Sequence, residues 1–167
     1  MKTIKLKLDV GCGHKPQGDV NIDLYPEPTG HRSFDQHFIG KALNVRKTPN
    51  FIRADGNFLP FPDNTFDEVC SSHTIEHSAT PFRFLKELVR VSKNKIVVIC
   101  PHRYAARKPK PLHVSQLDGK WFRKALLMLN VEWFETTVIA YRQVPFGRYY
   151  LPYLFRFPYI IKVEIRK

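Results

Sequence analysis

A chain of 167 residues with 43% hydrophobic and 25% charged content can bury a core without disulfide or metal staples. Its longest apolar runs fall far short of a membrane span and neither end reads as a secretory signal, so a membrane-spanning or secreted class is excluded and a cytoplasmic protein is expected. Cys12, Cys70 and Cys100 lie far apart within or at the ends of predicted strands, which suits reduced thiols better than a disulfide framework or a CxxC metal knuckle. The net charge of +12 is uneven, because residues 1–100 hold 14 Lys/Arg against 11 Asp/Glu whereas residues 101–167 hold 13 against 4. Such a field steers an anionic partner, a nucleic acid among them, or else only solubilises the surface.

The chain reads as one domain over 1–167. Ile4 to Val10 alternates apolar and lysine positions as a strand does, and runs into Gly11-Cys12-Gly13. Val20 to Leu24 is a second short strand, Ser33 to Val45 has rough helical spacing, and Phe51 to Ala54 is a third strand ending in Asp55-Gly56. Phe66 to Ser71 follows the Asp63-Asn64 turn. A helix is then predicted from Thr80 as N-cap and Pro81 at N1, with Phe82, Leu85 and Val89 on one face. Lys95 to Cys100 has the near-continuous β-branched pattern of a parallel strand covered on both sides. The spacing of Leu117, Trp121, Ala125 and Leu129 predicts a helix over 115–129, and Phe134 to Tyr141 and Tyr159 to Lys167 complete the strands. In the last strand Ile161, Val163 and Ile165 alternate with Lys162, Glu164 and Arg166, as for burial on one face. Strands alternating with helices predict an open, largely parallel α/β sheet.

Two glycines after a strand let a backbone bend and approach a ligand, and a carboxylate at the tip of the neighbouring strand, Asp23, can accept both hydroxyls of a ribose. The pairing points to a nucleoside site. A dinucleotide enzyme is disfavoured, since the third glycine of G-x-G-x-x-G is missing. Taken singly, Asp55-Gly56 is also ordinary turn chemistry and Asp9 could cap a loop.

Leu8-Asp9-Val10-Gly11-Cys12-Gly13, Asn21-Ile22-Asp23-Leu24, Arg53-Ala54-Asp55-Gly56, Leu59-Pro60-Phe61, Phe66-Asp67-Glu68-Val69 and His73 to His77 occur in that order. Together they resemble the class I S-adenosylmethionine-dependent methyltransferases, small-molecule-type members above all, over about residues 5–100. The resemblance implies a Rossmann-like, mostly parallel seven-stranded sheet with its last strand antiparallel. Residues 1–100 would form the cofactor half and 101–167 the substrate side. It implies S-adenosyl-L-methionine as cofactor, with Asp9, Gly11 and Gly13 at its methionine end. Asp23 and Leu24 would lie at the ribose, Asp55, Gly56 and Asn57 at the adenine, and Ser72 and His73 beside the transferred methyl. The chain departs from the family at Lys15, where many members have a glycine. Between Gly13 and Asp23 there is also too little chain for the usual crossover helix, so the first crossover is expected to be shortened to a loop or the second strand misplaced.

The activated sulfonium needs mainly alignment with its acceptor, and a general base only for a protonated, weakly acidic one. The expected acceptor-side loop, Pro101 to Ser115, offers His102 and His113 as candidate bases, with Arg103, Arg107, Lys108 and Lys110 to hold an anionic acceptor. A solvated basic loop is the bland alternative. The interleaved aromatic and arginine residues of segment 141–159 suit base stacking, a membrane interface, a homo-oligomer contact or plain core, with Pro145, Pro152 and Pro158 weighing against the membrane version. Two other functions stay open: a non-catalytic RNA-binding or partner subunit with the same fold, and a zinc hydrolase. The latter rests on His73-Thr74-Ile75-Glu76-His77, which matches H-x-x-E-H and on a helix would set both histidines on one face; in the methyltransferase reading no metal is expected.

Overall fold

The computed structural model describes residues 5–25, 45–103, 114–143 and 156–167. Seven strands form one sheet: β1 (Lys7–Val10), β2 (Val20–Asp23), β3 (Phe51–Arg53), β4 (Phe66–Ser72), β5 (Ser92–Pro101), β6 (Trp133–Gln143) and β7 (Arg156–Arg166). Their order is β3-β2-β1-β4-β5-β7-β6. The first five run parallel, and β7 is inserted antiparallel between β5 and β6. This is the predicted Rossmann-like α/β sheet. Among the described residues two α-helices, α1 (Pro81–Val91) and α2 (Gly119–Met128), and two 3-10 turns, Val45–Lys47 and Ile75–His77, accompany it. Most of the helix expected over Ser33 to Val45 lies outside the described residues.

Register and alternation put one apolar row after another on a single face. Leu8 pairs with Val69, Val69 with Ile96 and Ile96 with Ile165, all fully buried. Phe84, Leu85, Leu88 and Val91 of α1, and Phe122, Ala125 and Leu126 of α2, pack on that face in one continuous core. The buried face of α1 is therefore rotated from the expected one, for Phe82 is exposed. Thr80 precedes Pro81 as expected, but its hydroxyl makes no cap bond and donates instead to Asn57 Oδ1 at 3.0 Å. The second helix starts at Gly119 rather than 115, because Asp118 Oδ1 accepts the Trp121 N–H at 2.8 Å. Leu117, expected on that helix, is extended and bridges to His102. In β5 only alternate residues are buried, so that strand is not covered on both sides as its composition suggests.

The short first crossover is a loop, and β2 is in place: residues 11–19 alone join β1 to a parallel neighbour. Asn21, fully buried, makes that possible. Its Oδ1 accepts the Gly18 N–H at 3.0 Å, and its Nδ2 donates to the Gly18 and Pro49 carbonyls at 2.8 and 2.9 Å. A Cβ on Gly18 would overlap the backbone of Val20 and Asp9, so only glycine fits this close return.

Candidate functional site at the carboxyl edge of the sheet

In a parallel sheet the loops leaving the carboxyl ends of the strands all open on one edge. Here that edge gathers the Gly11–Gly13 loop after β1, Asp23 ending β2, Asp55–Asn57 after β3, and Ser72–His73 after β4. Gly11 and Cys12 both donate to the Ile22 carbonyl, at 2.8 and 3.0 Å, which folds the loop back over β2. Gly11 has φ +75, and a Cβ there would overlap the Thr74 side chain. Gly13 has φ +55 with open space where a Cβ would stand, so a ligand can come against its backbone.

The Gly13 N–H donates to Asp23 Oδ2 at 3.0 Å and the Tyr25 N–H to Oδ1 at 2.9 Å. Both carboxylate oxygens are thereby oriented. Leu24 is at the surface, and its carbonyl accepts from Arg53 Nε at 3.2 Å. Asp9, the other acidic residue expected here, is buried and accepts the Gln17 N–H at 2.9 Å, tying down the shortened loop. Burial raises its pKa, and so does the charge of Asp23. Neighbouring Cys70 is pushed up to about 12, by burial first and the Asp9 charge second, so its thiol stays protonated.

After β3, Asp55 Oδ1 accepts both the backbone and side-chain N–H of Asn57, at 2.8 and 2.9 Å, an Asx turn of the ordinary kind. Asn57 is also a hub: its Oδ1 takes the hydroxyls of Ser78 (2.9 Å) and Thr80 (3.0 Å), linking this loop to the start of α1. Gly56 lies against Phe84, whose ring a Cβ would overlap. Exposed Phe58 carries the Arg83 guanidinium 3.6 Å above its ring, a pairing the sequence reading did not single out.

His73 leaves β4 in the left-handed region, φ +54, with its N–H donating to the Ile99 carbonyl at 2.8 Å. The 3-10 turn Ile75–His77 follows. Glu76 within it is 2% exposed and neither carboxylate oxygen has a hydrogen-bond partner among the described residues; His73 Nδ1 stands 3.6 Å from Oε1. The helix that H-x-x-E-H needs is absent, as His73 precedes a three-residue 3-10 turn, and no group of three metal-ligating side chains occurs among the described residues. Of the two candidate bases, His102 is nearly buried at the end of β5, and burial lowers its pKa. His113, Arg107, Lys108 and Lys110 lie outside the described residues, as does most of segment 141–159. No helix among the described residues is long and apolar enough to cross a membrane.

Comparison with known proteins places this architecture. A structure of a SAM-dependent methyltransferase from Archaeoglobus fulgidus superposes with a TM-score of 0.70 at 15% identity, covering 99% of this chain and 87% of that one. Magnesium protoporphyrin IX methyltransferase from Synechocystis, solved with bound SAM, gives 0.57 at 15% identity, covering 98% and 70%. At these identities the likeness is one of fold. In sequence, an uncharacterized methyltransferase of Mycobacterium leprae is 34% identical over 96 residues, 53% of this chain and 34% of the relative. Cycloartenol-C-24-methyltransferase of Arabidopsis thaliana is 36% identical over 92 residues, 52% and 27%. The chain thus spans about a third of the length of the curated relatives it matches. Residues 8–100, more than half of the sequence, match the profile of the methyltransferase domain, and the chain belongs to that family.

Proposed function

We propose that this domain binds S-adenosyl-L-methionine at the carboxyl edge of β1–β4 and transfers its methyl group to an acceptor with anionic character. The observation that carries the reading is the Gly13–Asp23 hydrogen bond, which joins the glycine loop to the strand-tip carboxylate. The residues fit the cofactor. The open space over Gly13 admits a ligand to the backbone, Asp23 presents oriented oxygens to ribose hydroxyls, and the Asp55–Asn57 turn stands one strand further along for the adenine. Ser72 and His73 would flank the methyl-donor end, with Asp9 holding the loop rather than touching the ligand. A fold neighbour was solved with SAM bound, which supports SAM as the ligand.

When bound, the cofactor supplies a methyl group already activated on a sulfonium. The chain's own part is to orient the ribose through Asp23, to exclude water with the Thr74 turn packed on Gly11, and to present the acceptor from the side where β5 ends. Titration calorimetry tests this. S-adenosylmethionine and S-adenosylhomocysteine should bind the wild type, and Asp23→Ala should weaken both by about 10- to 100-fold, the worth of hydrogen bonds to a charged group. Absence of heat with the wild type removes the proposal.

The +9 charge of residues 101–167 favours a second reading, an RNA-binding subunit that keeps the fold without transfer. It requires tRNA affinity that falls steeply with salt; a flat response discards it.

A further inference from the structure

Glu76 is a carboxylate at 2% exposure, and among the described residues no group hydrogen-bonds to either of its oxygens. Such a group is costly to bury unless it has a task. Its surroundings indicate one. His73 Nδ1 lies 3.6 Å from Oε1, just beyond hydrogen-bond length, and the imidazole is 48% exposed, one end toward the carboxylate and the rest accessible. The residue carrying that ring has φ +54, uncommon for residues other than glycine though histidine is among the types enriched there, and non-glycine residues held in this region cluster at working sites. Its backbone is fixed by the bond to Ile99, and the next residue, Thr74, packs on Gly11, so His73 follows β4 directly next to the residue that meets the glycine loop. The Cys100 thiol of β5 also faces Glu76; burial first and the Glu76 charge second push its pKa up, so it stays protonated and does not compete for the imidazole.

We propose that His73 and Glu76 form a base dyad on the acceptor side of the cleft, in which Glu76 accepts Nδ1–H and His73 Nε2 takes the proton of a hydroxyl or ammonium acceptor. The inference rests on the methyl-transfer reading above and deepens it, naming the acceptor as one that arrives protonated. Glu76 is the positioning residue and His73 the catalytic one. The same division of labour orients the histidine of hydrolase triads, where the buried carboxylate fixes the tautomer and stabilises the imidazolium. Hydrogen bonds of this kind are often long before substrate binds and tighten afterwards. The acceptor's X–H proton passes to Nε2, and the freed pair on X forms the bond to the methyl carbon. The carbon–sulfur pair leaves with the thioether, and the imidazolium returns its proton to the solvent that reaches it.

The test is the tautomer of His73, read by long-range ¹⁵N–¹H NMR without any acceptor. In the wild type the neutral ring should carry its proton on Nδ1. In Glu76→Leu, which removes the acceptor and suits a buried site, the ring should revert to the Nε2–H form that free imidazole side chains prefer. Carbethoxylation by diethyl pyrocarbonate, mapped by peptide mass spectrometry, reads the free Nε2 pair directly. His73 should be modified faster in the wild type than in Glu76→Leu, with the other six histidines as internal comparators. A wild-type His73 with Nε2–H overturns the dyad whether or not the variant folds, and so does an equal modification rate in the two proteins. Failure of calorimetric S-adenosylmethionine binding with the Nδ1–H tautomer intact would instead sink the methyl-transfer reading, so the two failures are told apart.

Discussion

The two faces of the sheet are built from the same strands yet hold together by different physics. On one, the row Leu8–Val69–Ile96–Ile165 is fully buried beneath α1 and α2. One residue along, the row Lys7–Glu68–Lys95–Arg166 projects from the other face and alternates in sign until its last member. There Lys7 pairs with Glu68 at 3.4 Å, and Glu164 with Lys95 and Lys162 at 3.6 and 3.1 Å. Both described helices join the apolar core, and the loop of residues 11–19 stands where a crossover helix would otherwise cover β1 and β2. Period-2 alternation thus gives one sheet an apolar face that packs beneath helices and a charged face whose side chains pair with one another.

The comparison breaks most sharply in the core. Phe122 on α2 is fully buried against the apolar face. Phe122→Ala should cost about 3–5 kcal/mol through lost transfer energy and the cavity left behind, and lower Tm by about 6–20 °C. Urea and thermal unfolding measure it. A loss below about 1 kcal/mol would mean the helices are not what holds that face.

Which of these features are legible in the sequence follows from how local their causes are. Pro81 at N1 and the Ile161/Val163/Ile165 alternation are local, and the structure keeps both. The start of α2 is local too but ambiguous: Leu117 to Leu129 continues a helical spacing, and the Asp118 cap outweighs it by ending the extended stretch that bridges to His102. Lys95 to Cys100 reads as buried on both sides because β-branched residues fill both. Covering the second side takes a helix, and Val97 and Ile99 stay half-buried. The missing crossover helix is visible as a shortage of residues. Its remedy is not, because Asn21 completes its bonds with Pro49, distant in sequence. At the site, Gly11, Gly13, Asp23 and Asp55 stand at successive strand ends as expected. Glu76 stands in the sequence only as one residue of the His73 to His77 segment, and neither its burial nor the positive φ of His73 leaves a trace in one sequence.

At the rim of the apolar face a charged cluster does what exposed pairs cannot. Arg90 on α1 donates to the Phe61 and Leu59 carbonyls at 2.7 and 3.0 Å and to both oxygens of Glu87, whose Oε2 accepts the Leu59 N–H at 2.8 Å. This pins the loop between β3 and β4 to the helix. The Arg90 hydrogen bonds hold the Glu87 carboxyl below the usual glutamate range. A depressed folded-state value contributes stability that is complete above the unfolded value, about 4.3, and is lost as pH falls through the folded one. Glu87→Gln should therefore cost about 1.5–3 kcal/mol at pH 7, the scale of charged hydrogen bonds. The gap to wild type should narrow on acidification below about pH 4. Urea midpoints across that range decide it, and a gap that is constant with pH would remove the carboxylate from the account.

The smallest effect belongs to the charged face. Lys162 pairs with Glu164 at 3.1 Å and is 37% exposed, and Lys95 approaches the same carboxylate from β5. Glu164 sits between three cations, Lys95, Lys162 and Arg166, so removing one leaves its charge compensated by two. Exposed pairs are worth at most about 1 kcal/mol, side-chain ordering and salt screening offsetting much of the Coulomb gain. Lys162→Ala should therefore shift stability by no more than about 0.5 kcal/mol, and raising the salt should erase even that. Glu164→Ala leaves the three cations facing one another and should cost more than Lys162→Ala at low salt, converging with it at high salt. If Lys162→Ala instead matched the Phe122→Ala loss, the charged face would be packed against something the described residues do not include, and the contrast between the two faces would fail.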